Sequence, residues 1–371
     1  MNLFLKKITV FLIPLVLLFV PAIISLRSSG ENFTKIDNLI EENKKYLIGY
    51  EYDNYKYLKW KHISIMPTKE IIALGSSRVL QFRQDMFKGS FYNAGFTITS
   101  ITDFIPFLTS IEKNKYPKYL IVGLDQWMFN EKKDDLKSIK KSSLWKNSFS
   151  YIPKGSVLFK TSKDILKGKV NVFYPSSSSK LKYGFTAKMK NTGFRNDGSI
   201  FYGLQIENLI NSPSKAKDFK FQNTLKSIKQ GKKHFTHGEE INLAALVEFE
   251  NLIDFCQKND IQLVTFLPPF SPTVNKSMRE FRKHTYMDSL GKEIAKICKA
   301  KKIEFYDFSS LEQLQSGDDE FIDGFHGGEV SYSKMLIHMI ENRSKLESVV
   351  DLSILRIDLN KAKNRYIVYD Y

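Results

Sequence analysis

Four short motifs contain side chains that could do chemistry. Three of them directly follow apolar runs, namely Gly75-Ser76-Ser77-Arg78, Asn93-Ala94-Gly95 and Gly123-Leu124-Asp125, and the fourth is Asp323-Gly324-Phe325-His326 near the C-terminus. A serine hydroxyl is a poor nucleophile until a neighbouring imidazole accepts its proton, and the imidazole needs a carboxylate that fixes its tautomer. The first and fourth motifs together therefore predict acyl transfer through a serine ester.

Ser77 is the expected nucleophile, and Ser76 is the alternative. A serine at a strand-to-helix turn is exposed and lies beside free helix N-terminal amides, which can stabilise an oxyanion. We expect His326 to take the Ser77 proton and then to protonate the leaving group, while Asp323 orients His326. This chemistry requires no metal ion and no organic cofactor.

Segments that read as strands and helices alternate along two parts of the chain. Five segments read as strands: KEIIALGSSR, FYNAGF, YPKYLIVGLDQW, IQLVTFLPP and KIEFYDFSS. The short, continuous apolar core of the first is typical of a buried parallel strand. VLQFRQDMF, after the first segment, is expected to form a helix. The alternation predicts a three-layer α/β/α fold whose parallel sheet has about five strands. In such sheets ligands bind beyond the carboxyl ends of the strands, where the first three motifs lie.

The expected domain organisation has four parts. Residues 1–27 form a membrane anchor, 28–69 a stalk, 70–345 the α/β domain and 346–371 a C-terminal tail. Within the α/β domain, residues 131–238 are rich in lysine, serine and aromatic side chains and have weak periodicity. We interpret this region as an insertion or lid.

The N-terminal segment is typical of a membrane-spanning helix. Lys6 and Lys7 precede a run without charge from Ile8 to Leu26, and at ~1.5 Å per residue this run could cross a ~30 Å hydrocarbon core. Two lysines before the run and only Arg27 close behind it favour a cytoplasmic N-terminus. The remaining chain would then lie outside the cytoplasmic membrane. A cleaved signal peptide is the alternative.

The chain is strongly basic. Its 56 lysine and arginine residues exceed its 40 acidic residues, which yields a formal net charge of +16. Such a surface attracts nucleic acid, anionic lipid or an anionic cell-surface polymer. Neither zinc-finger spacing nor an aromatic ribonucleoprotein motif occurs, so nucleic acid is not expected. Several lysines of the insertion either line a groove for an acidic polymer or are merely solvated: Lys180, Lys182, Lys188 and Lys190.

Two further pairs of residues allow more than one interpretation. Cys256 and Cys298 each follow apolar residues in a helical pattern, which favours buried free thiols over a disulfide between them. His234 and His237 are spaced as in some metal sites, but no second cluster of ligands accompanies them. We therefore expect these histidines to lie in a solvated loop.

The ordered motifs resemble those of the SGNH, or GDSL-like, hydrolase superfamily. Ser77 matches the family nucleophile, in GSS where many members have GDS, and Gly95 matches the glycine of the second block. Asp323 and His326 match the terminal D-x-x-H pair. The resemblance covers about residues 70–130 and 239–342 and leaves out the central insertion.

This resemblance implies a flavodoxin-like three-layer fold. A GSSR motif with an N-terminal anchor is most similar to membrane-anchored bacterial envelope branches, the DltD-like proteins of teichoic-acid D-alanylation and the AlgX/AlgJ-like proteins of polysaccharide O-acetylation. The resemblance to these branches implies acyl transfer on cell-envelope glycans, with water or a sugar hydroxyl as acceptor. It also implies a multispanning membrane acyltransferase as partner. Two alternatives stay open: a non-catalytic SGNH-fold partner that binds an anionic polymer or such an acyltransferase, and a purely structural anchored protein.

The oxyanion site departs from the family pattern. The resemblance implies that backbone amides of Ser77 and Gly95 bind the oxyanion, together with an asparagine after the third strand. This chain has Asp125 there, and an ionised carboxylate cannot donate a hydrogen bond. Either Asp125 is paired with Arg78, or another donor such as Asn93 serves.

Overall fold

The computed structural model describes residues 2–31, 45–52, 55–133, 136, 155–175 and 181–369. The chain divides into two units: unit 1 is Met1–Asn54, Lys146–Asn196 and Ile200–Leu204, and unit 2 is Tyr55–Trp145, Asp197–Ser199 and Gln205–Tyr371. The region expected to be an insertion, 131–238, contributes to both units. Parts of it, including Lys180, and parts of the expected stalk lie outside the described residues.

The described residues form eleven strands and twelve α-helices. The strands are β1 Tyr46–Ile48, β2 Ile71–Gly75, β3 Phe91–Gly95, β4 Tyr119–Gly123, β5 Leu181–Tyr183, β6 Thr192–Phe194, β7 Ile200–Tyr202, β8 Gln262–Leu267, β9 Glu304–Asp307, β10 Phe321–Asp323 and β11 His326–Gly327. The helices are α1 Asn2–Ser29, α2 Tyr55–Ile65, α3 Phe104–Ser110, α4 Gly155–Leu166, α5 Phe185–Lys190, α6 Gly203–Asn211, α7 Gln222–Gln230, α8 Leu243–Lys258, α9 Pro272–Phe281, α10 Met287–Lys301, α11 Glu329–Glu341 and α12 Leu352–Asn360.

The main sheet of unit 2 is parallel throughout, with five strands in the order β3-β2-β4-β8-β9. Each of these strands lies within one of the five segments that read as strands. β2, for example, is buried along its whole length, as expected for a parallel strand covered on both faces. The carboxyl ends of β2 and β3 are in register, with Gly75 beside Gly95. The mixed α/β class and the parallel sheet expected from the sequence are confirmed.

Alternate residues of the strands contribute to two separate apolar cores. Ile72 and Leu74 belong to a core that also contains side chains of α3, α8, α9 and α10. Ile71 and Ala73 belong to a second core, built with side chains of α11 and of the C-terminal tail, including Leu355. The tail is therefore part of unit 2, because its apolar side chains complete the second core. The finer expectation, an SGNH-type three-layer arrangement, stays a prediction.

The two cysteines are free and buried, so the predicted free thiols are confirmed. Cys256 lies on α8 and Cys298 on α10, and both contribute to the first core. Burial raises the pKa of each thiol to about 12. Both groups are therefore protonated and unreactive near neutral pH.

The segment VLQFRQDMF does not form the expected α-helix. Its described structure consists of 3-10 turns, one at Ser77–Val79 and one at Gln84–Met86, with irregular chain between them. The buried side-chain amide of Asn93 donates to the carbonyl oxygens of Val79 and Phe82, at 2.8 and 2.9 Å. An α-helix would pair such carbonyls with its own N–H groups. A tertiary contact thus replaces the helical hydrogen bonds.

Unit 1 contains a small mixed sheet and the N-terminal helix. Its strand order is β5-β1-β6-β7, with β1 parallel to β5 and antiparallel to β6. α1 packs against α4. Among the described residues, α1 is the helix long and apolar enough to cross a membrane, with a mean hydropathy of 2.7 over its most apolar window. The side of the membrane on which the chain lies stays a prediction.

Candidate active site

The side chains of Ser77, His326 and Asp323 form a hydrogen-bonded chain in unit 2. The Oγ atom of Ser77 lies 2.7 Å from Nε2 of His326. On the other side of the imidazole, Nδ1 lies 2.9 and 2.8 Å from the two carboxylate oxygens of Asp323. The three residues expected from the first and fourth motifs are thus brought together in the order that general-base activation of a serine requires.

A hairpin of two short antiparallel strands, β10 and β11, holds the carboxylate and the imidazole side by side. Asp323 pairs with His326 across this hairpin. Oδ1 of Asp323 also accepts the backbone N–H groups of Phe325 and His326, at 3.1 and 2.9 Å. Burial alone would raise the pKa of Asp323, but the charge of His326 and these hydrogen bonds outweigh it and lower the pKa below its ordinary value. Asp323 is therefore the anion that stabilises a protonated His326.

The 3-10 turn after β2 distinguishes the two serines. Ser76 is the N-cap of this turn, and its side-chain oxygen accepts the N–H of Arg78 at 3.1 Å. Ser77 is the first residue of the turn and directs its hydroxyl to His326. Tyr332 of α11 donates to the carbonyl oxygen of Arg78 and fixes the turn from the opposite side. The geometry therefore places Ser77, and not Ser76, within reach of the base.

The glycines that end three neighbouring strands share a steric role. A Cβ atom on Gly123, Gly95 or Gly75 would lie 2.5, 2.7 or 2.9 Å from a methyl group of Val79. Val79 belongs to the same 3-10 turn as Ser77. The turn can pack closely over the ends of β2, β3 and β4 only because these positions have no side chain.

The second motif does not offer the oxyanion donors expected of it. The N–H of Gly95 donates to Oδ1 of Asn93 at 2.9 Å. The side-chain amide of Asn93 is fully buried and donates to two backbone carbonyls, as described for the turn after β2. Both groups are therefore committed within the protein in this geometry, and Asn93 acts as a bridge between β3 and the nucleophile turn.

Arg78 and Asp125 form a buried ion pair. Their closest atoms, Nη1 and Oδ1, are 3.3 Å apart, and both side chains are fully buried. Arg78 also donates to the carbonyl oxygens of Pro268 and Pro269 at 2.7 and 2.6 Å, and its guanidinium lies 4.3 Å from the ring centroid of Phe270. Burial raises the pKa of Asp125, and the charge of Arg78 opposes that rise. Of the two expectations for Asp125, pairing with Arg78 is the one observed.

Comparison with known proteins did not identify a family for this chain. No protein-family model fits it, and no curated protein matches it. The resemblance to SGNH hydrolases therefore rests on the four motifs and on their places in the fold. A serine triad is itself recognised by geometry and roles, since it recurs on unrelated folds.

Two backbone N–H groups in the nucleophile region make no hydrogen bond within the described part of the chain. The N–H groups of Phe96 and Ile98 donate to carbonyl oxygens of the 75–76 segment, at 3.0 and 3.3 Å. The N–H of Thr97, between them, finds no acceptor among the described residues, and neither does that of Ser77. Thr97 is buried. A buried N–H is nearly always paired, so that of Thr97 is a candidate donor to a bound group, whereas that of the half-buried Ser77 belongs to the nucleophile itself.

Aromatic side chains that the motifs did not single out lie beside the triad. The ring of Phe325 contacts that of His326, with centroids 4.2 Å apart, and the centroid of Trp127 is 6.4 Å from that of Phe325. The ring centroids of His234 and Trp127 are 4.2 Å apart, and Nζ of Lys133 lies 3.2 Å from Nδ1 of His234. His234 is exposed, in agreement with the expected solvated loop, but that expectation did not include these contacts. In the sequence, the signal for this aromatic group was the presence of Phe325 within the fourth motif and of Trp127 just after the third.

Phe96 has an unusual backbone conformation directly after β3. Its φ of 72° is in the left-handed region, which bulky residues rarely adopt, and its side chain is 45% exposed. The ring stands edge-on to Tyr55, with centroids 5.8 Å apart. Strained residues of this kind cluster at ligand sites. An exposed aromatic ring therefore stands beside the nucleophile turn, to which the N–H of Phe96 is bonded through the carbonyl oxygen of Ser76.

Proposed function

We propose that this protein is a membrane-anchored serine esterase or O-acyltransferase that acts on acyl groups of cell-envelope polysaccharide. The single observation that carries the proposal is the 2.7 Å hydrogen bond between Ser77 and His326, with Asp323 on the far side of the imidazole. Neither of the two alternatives, a binding partner or a structural anchor, requires a serine, an imidazole and a carboxylate in this order.

The first half-reaction forms an ester on Ser77. As Oγ attacks the carbonyl carbon of the acyl donor, the hydroxyl proton passes to Nε2 of His326. The tetrahedral intermediate then collapses, its bond to the donor alcohol breaks, and His326 returns the proton to the leaving oxygen. Asp323 holds the imidazole in the tautomer that presents a free Nε2 and stabilises the imidazolium.

The second half-reaction transfers the acyl group to an acceptor. His326 removes a proton from water or from a sugar hydroxyl, the acceptor oxygen attacks the Ser77 ester, and collapse of the intermediate returns the proton to Ser77. Water as acceptor makes the protein an esterase, and a sugar hydroxyl makes it an acyltransferase. In both steps we assign the oxyanion to the N–H groups of Ser77 and Thr97, because that of Gly95 is bonded to Asn93.

The proposal includes an SGNH-type three-layer arrangement and a location outside the cytoplasm. The parallel strand order, the two cores and the motifs at the strand ends support the fold. The charge-free run of α1 supports the anchor, and two lysines before that run support a cytoplasmic N-terminus. A net charge of +16 suits an anionic envelope polymer as substrate.

A fluorophosphonate probe tests the nucleophile directly. We expect the purified full-length protein to be labelled and the Ser77→Ala variant to be unlabelled. Ser76→Ala is the matched control, because Ser76 is the neighbouring serine and its side chain caps the 3-10 turn. This variant should retain labelling. Equal labelling of wild type and Ser77→Ala would overturn the proposal. The unlabelled wild-type protein is then incubated with an acetyl ester and a glycan acceptor. Release of free acetate indicates hydrolysis, and an acetylated glycan indicates transfer.

One observation favours a second candidate, a non-catalytic partner that uses the same scaffold to hold a polymer or a membrane acyltransferase. The N–H of Gly95 is occupied and Asp125 is buried, so two groups at the family's oxyanion positions are not free. This candidate predicts that polymer acylation in cells survives His326→Ala. The catalytic proposal predicts that acylation is lost in that variant while the protein level is unchanged.

A further inference from the structure

We propose that α4 and the chain that follows it, residues 155–175, lie within the lipid leaflet that surrounds the C-terminal half of α1. The acyl chains of the same bilayer then cover the exposed apolar surface of residues 155–175. This inference rests on the proposed anchoring by α1 and goes beyond it, because it assigns a second membrane-contacting element to unit 1.

The part of α1 that is exposed on all sides is too short to cross a bilayer by itself. Its side chains are exposed from Phe4 to Leu17 and begin to be covered at Leu18. The charge-free part of this exposed stretch, from Ile8 to Leu17, extends only about 15 Å at 1.5 Å per residue. A hydrocarbon core of about 30 Å requires roughly 20 residues. The bilayer must therefore continue past Leu18 to the end of the apolar run at Leu26.

Beyond Leu18, α1 is hydrogen-bonded to α4 and to the chain that follows α4. The hydroxyl of Ser162 on α4 donates to the carbonyl oxygen of Leu18 at 2.8 Å. Further along, Ser25 donates to the carbonyl oxygen of Asn171 at 2.6 Å. Leu18 lies eight residues before Leu26, which is about 12 Å along the helix axis. If α1 spans the bilayer, α4 lies at hydrocarbon depth beside it.

The outer surface of the 155–175 segment exposes large apolar side chains. Phe159, Leu166 and Phe173 are 61%, 79% and 64% exposed. Phe159 and Leu166 are seven residues apart, so they share one face of α4, and Ser162, which contacts α1, lies between them on that face. Their apolar surface is therefore continuous with that of α1. This continuity selects lipid as the occupant, because the acyl chains around α1 reach the same face.

The charges of the segment agree with a position near the lipid headgroups. Four exposed lysines accompany the apolar side chains, namely Lys160, Lys163, Lys167 and Lys169, and the one carboxylate of the segment, Asp164, accepts a hydrogen bond from the hydroxyl of Tyr52 at 3.2 Å. Long lysine side chains can keep their ammonium groups at the headgroup level while their stems lie in hydrocarbon. Apolar side chains with interleaved lysines are typical of helices at an anionic membrane interface.

Labelling of one introduced, accessible cysteine in vesicles tests the inference on the full chain. Because Cys256 and Cys298 are buried, Phe159→Cys and Phe173→Cys introduce the accessible thiols for a fluorophore sensitive to polarity. The variants are reconstituted into vesicles of phosphatidylethanolamine and phosphatidylglycerol. We expect blue-shifted emission that is quenched by lipids with a spin label on the acyl chain. The matched control is Leu243→Cys on α8 of unit 2, 74% exposed, which should report water and be quenched by iodide.

The outcomes separate this inference from the anchor on which it rests. Sodium carbonate extraction of the same vesicles shows whether the protein is integral to the membrane. If the protein resists extraction but both probes report water, the anchor stands and the immersion of 155–175 is overturned. If carbonate releases the protein, the anchor itself fails and the inference fails with it. Fluorophosphonate labelling of each variant confirms that the fold is retained.

Discussion

The Oδ1 atom of Asn93 accepts the N–H of Gly95 at 2.9 Å, at the strand end beside the nucleophile turn. The same side chain donates to two carbonyl oxygens of the segment after β2. Two hydrogen bonds donated by one buried amide thus join β3 to the turn that carries Ser77 and to the chain just after it, and the third, accepted from Gly95, lies within β3. By its residue type Asn93 could serve as an oxyanion donor, but its side chain instead supports the backbone of the nucleophile region.

Asn93→Ala should destabilise the protein by several kcal/mol, since each buried polar group left without a partner costs about 1–3 kcal/mol. Urea unfolding followed by circular dichroism measures the change. Asn251→Ala on the exposed side of α8 is the matched control and should alter stability by no more than about 0.5 kcal/mol. If Asn93→Ala lowered the free energy of unfolding by no more than the control does, the bridging role would be refuted.

Asp323→Asn should slow acylation of Ser77 by as much as about 10⁴-fold, because a neutral amide neither fixes the productive tautomer of His326 nor stabilises its charged form. The rate of fluorophosphonate labelling measures the effect. Asp319→Asn, an exposed change at an ion pair with Arg365, provides the control and should leave the rate unchanged. A labelling rate within twofold of wild type for Asp323→Asn would argue against a triad.

Arg78→Met should cost about 3–5 kcal/mol of stability, because it leaves the carboxylate of Asp125 buried without its partner. Adding Asp125→Leu should restore much of the loss, since the uncompensated charge is then removed as well. The exposed pair of Arg282 and Asp288 is the comparison, and Arg282→Met should cost no more than about 1 kcal/mol. If the double variant were less stable than Arg78→Met, the charge argument would be wrong.

The buried imidazole of His62 should make the protein less stable as the pH falls. Burial, helped by the charges of Lys69 and Lys59, lowers the pKa of His62 to about 3, whereas an unfolded histidine titrates near 6.5. Between these values the unfolded chain binds more protons, so stability should decline as the pH drops from about 6.5 toward 3, by at most about 1.4 kcal/mol per pH unit from this group.

His62→Phe should reduce this dependence while it retains an aromatic ring against Tyr92, on which His62 stacks at 4.2 Å. Unfolding free energies measured at pH 7 and pH 5 for both proteins give the comparison. An identical difference between the two pH values in wild type and variant would show that another group is responsible.

Local sequence patterns predicted the parts of the fold that depend on them. A short apolar run is buried wherever a parallel sheet is covered on both faces, so β2, β3, β4 and β8 could be located from composition alone. The helix expected for VLQFRQDMF could not be excluded in this way, because its carbonyls are satisfied by Asn93 on a neighbouring strand. Hydrogen-bond competition from a distant residue leaves no local trace in the sequence.

The sequence by itself determined the types of the chemical groups, their order along the chain and their places at strand ends. Only the tertiary structure decided that Ser77 rather than Ser76 reaches His326, which is 249 positions away, and that Asp125 is paired with Arg78. The reason is physical. The position of a residue along the chain specifies which strand end carries it, whereas the direction of a side chain depends on turns and packing partners that are far apart in sequence.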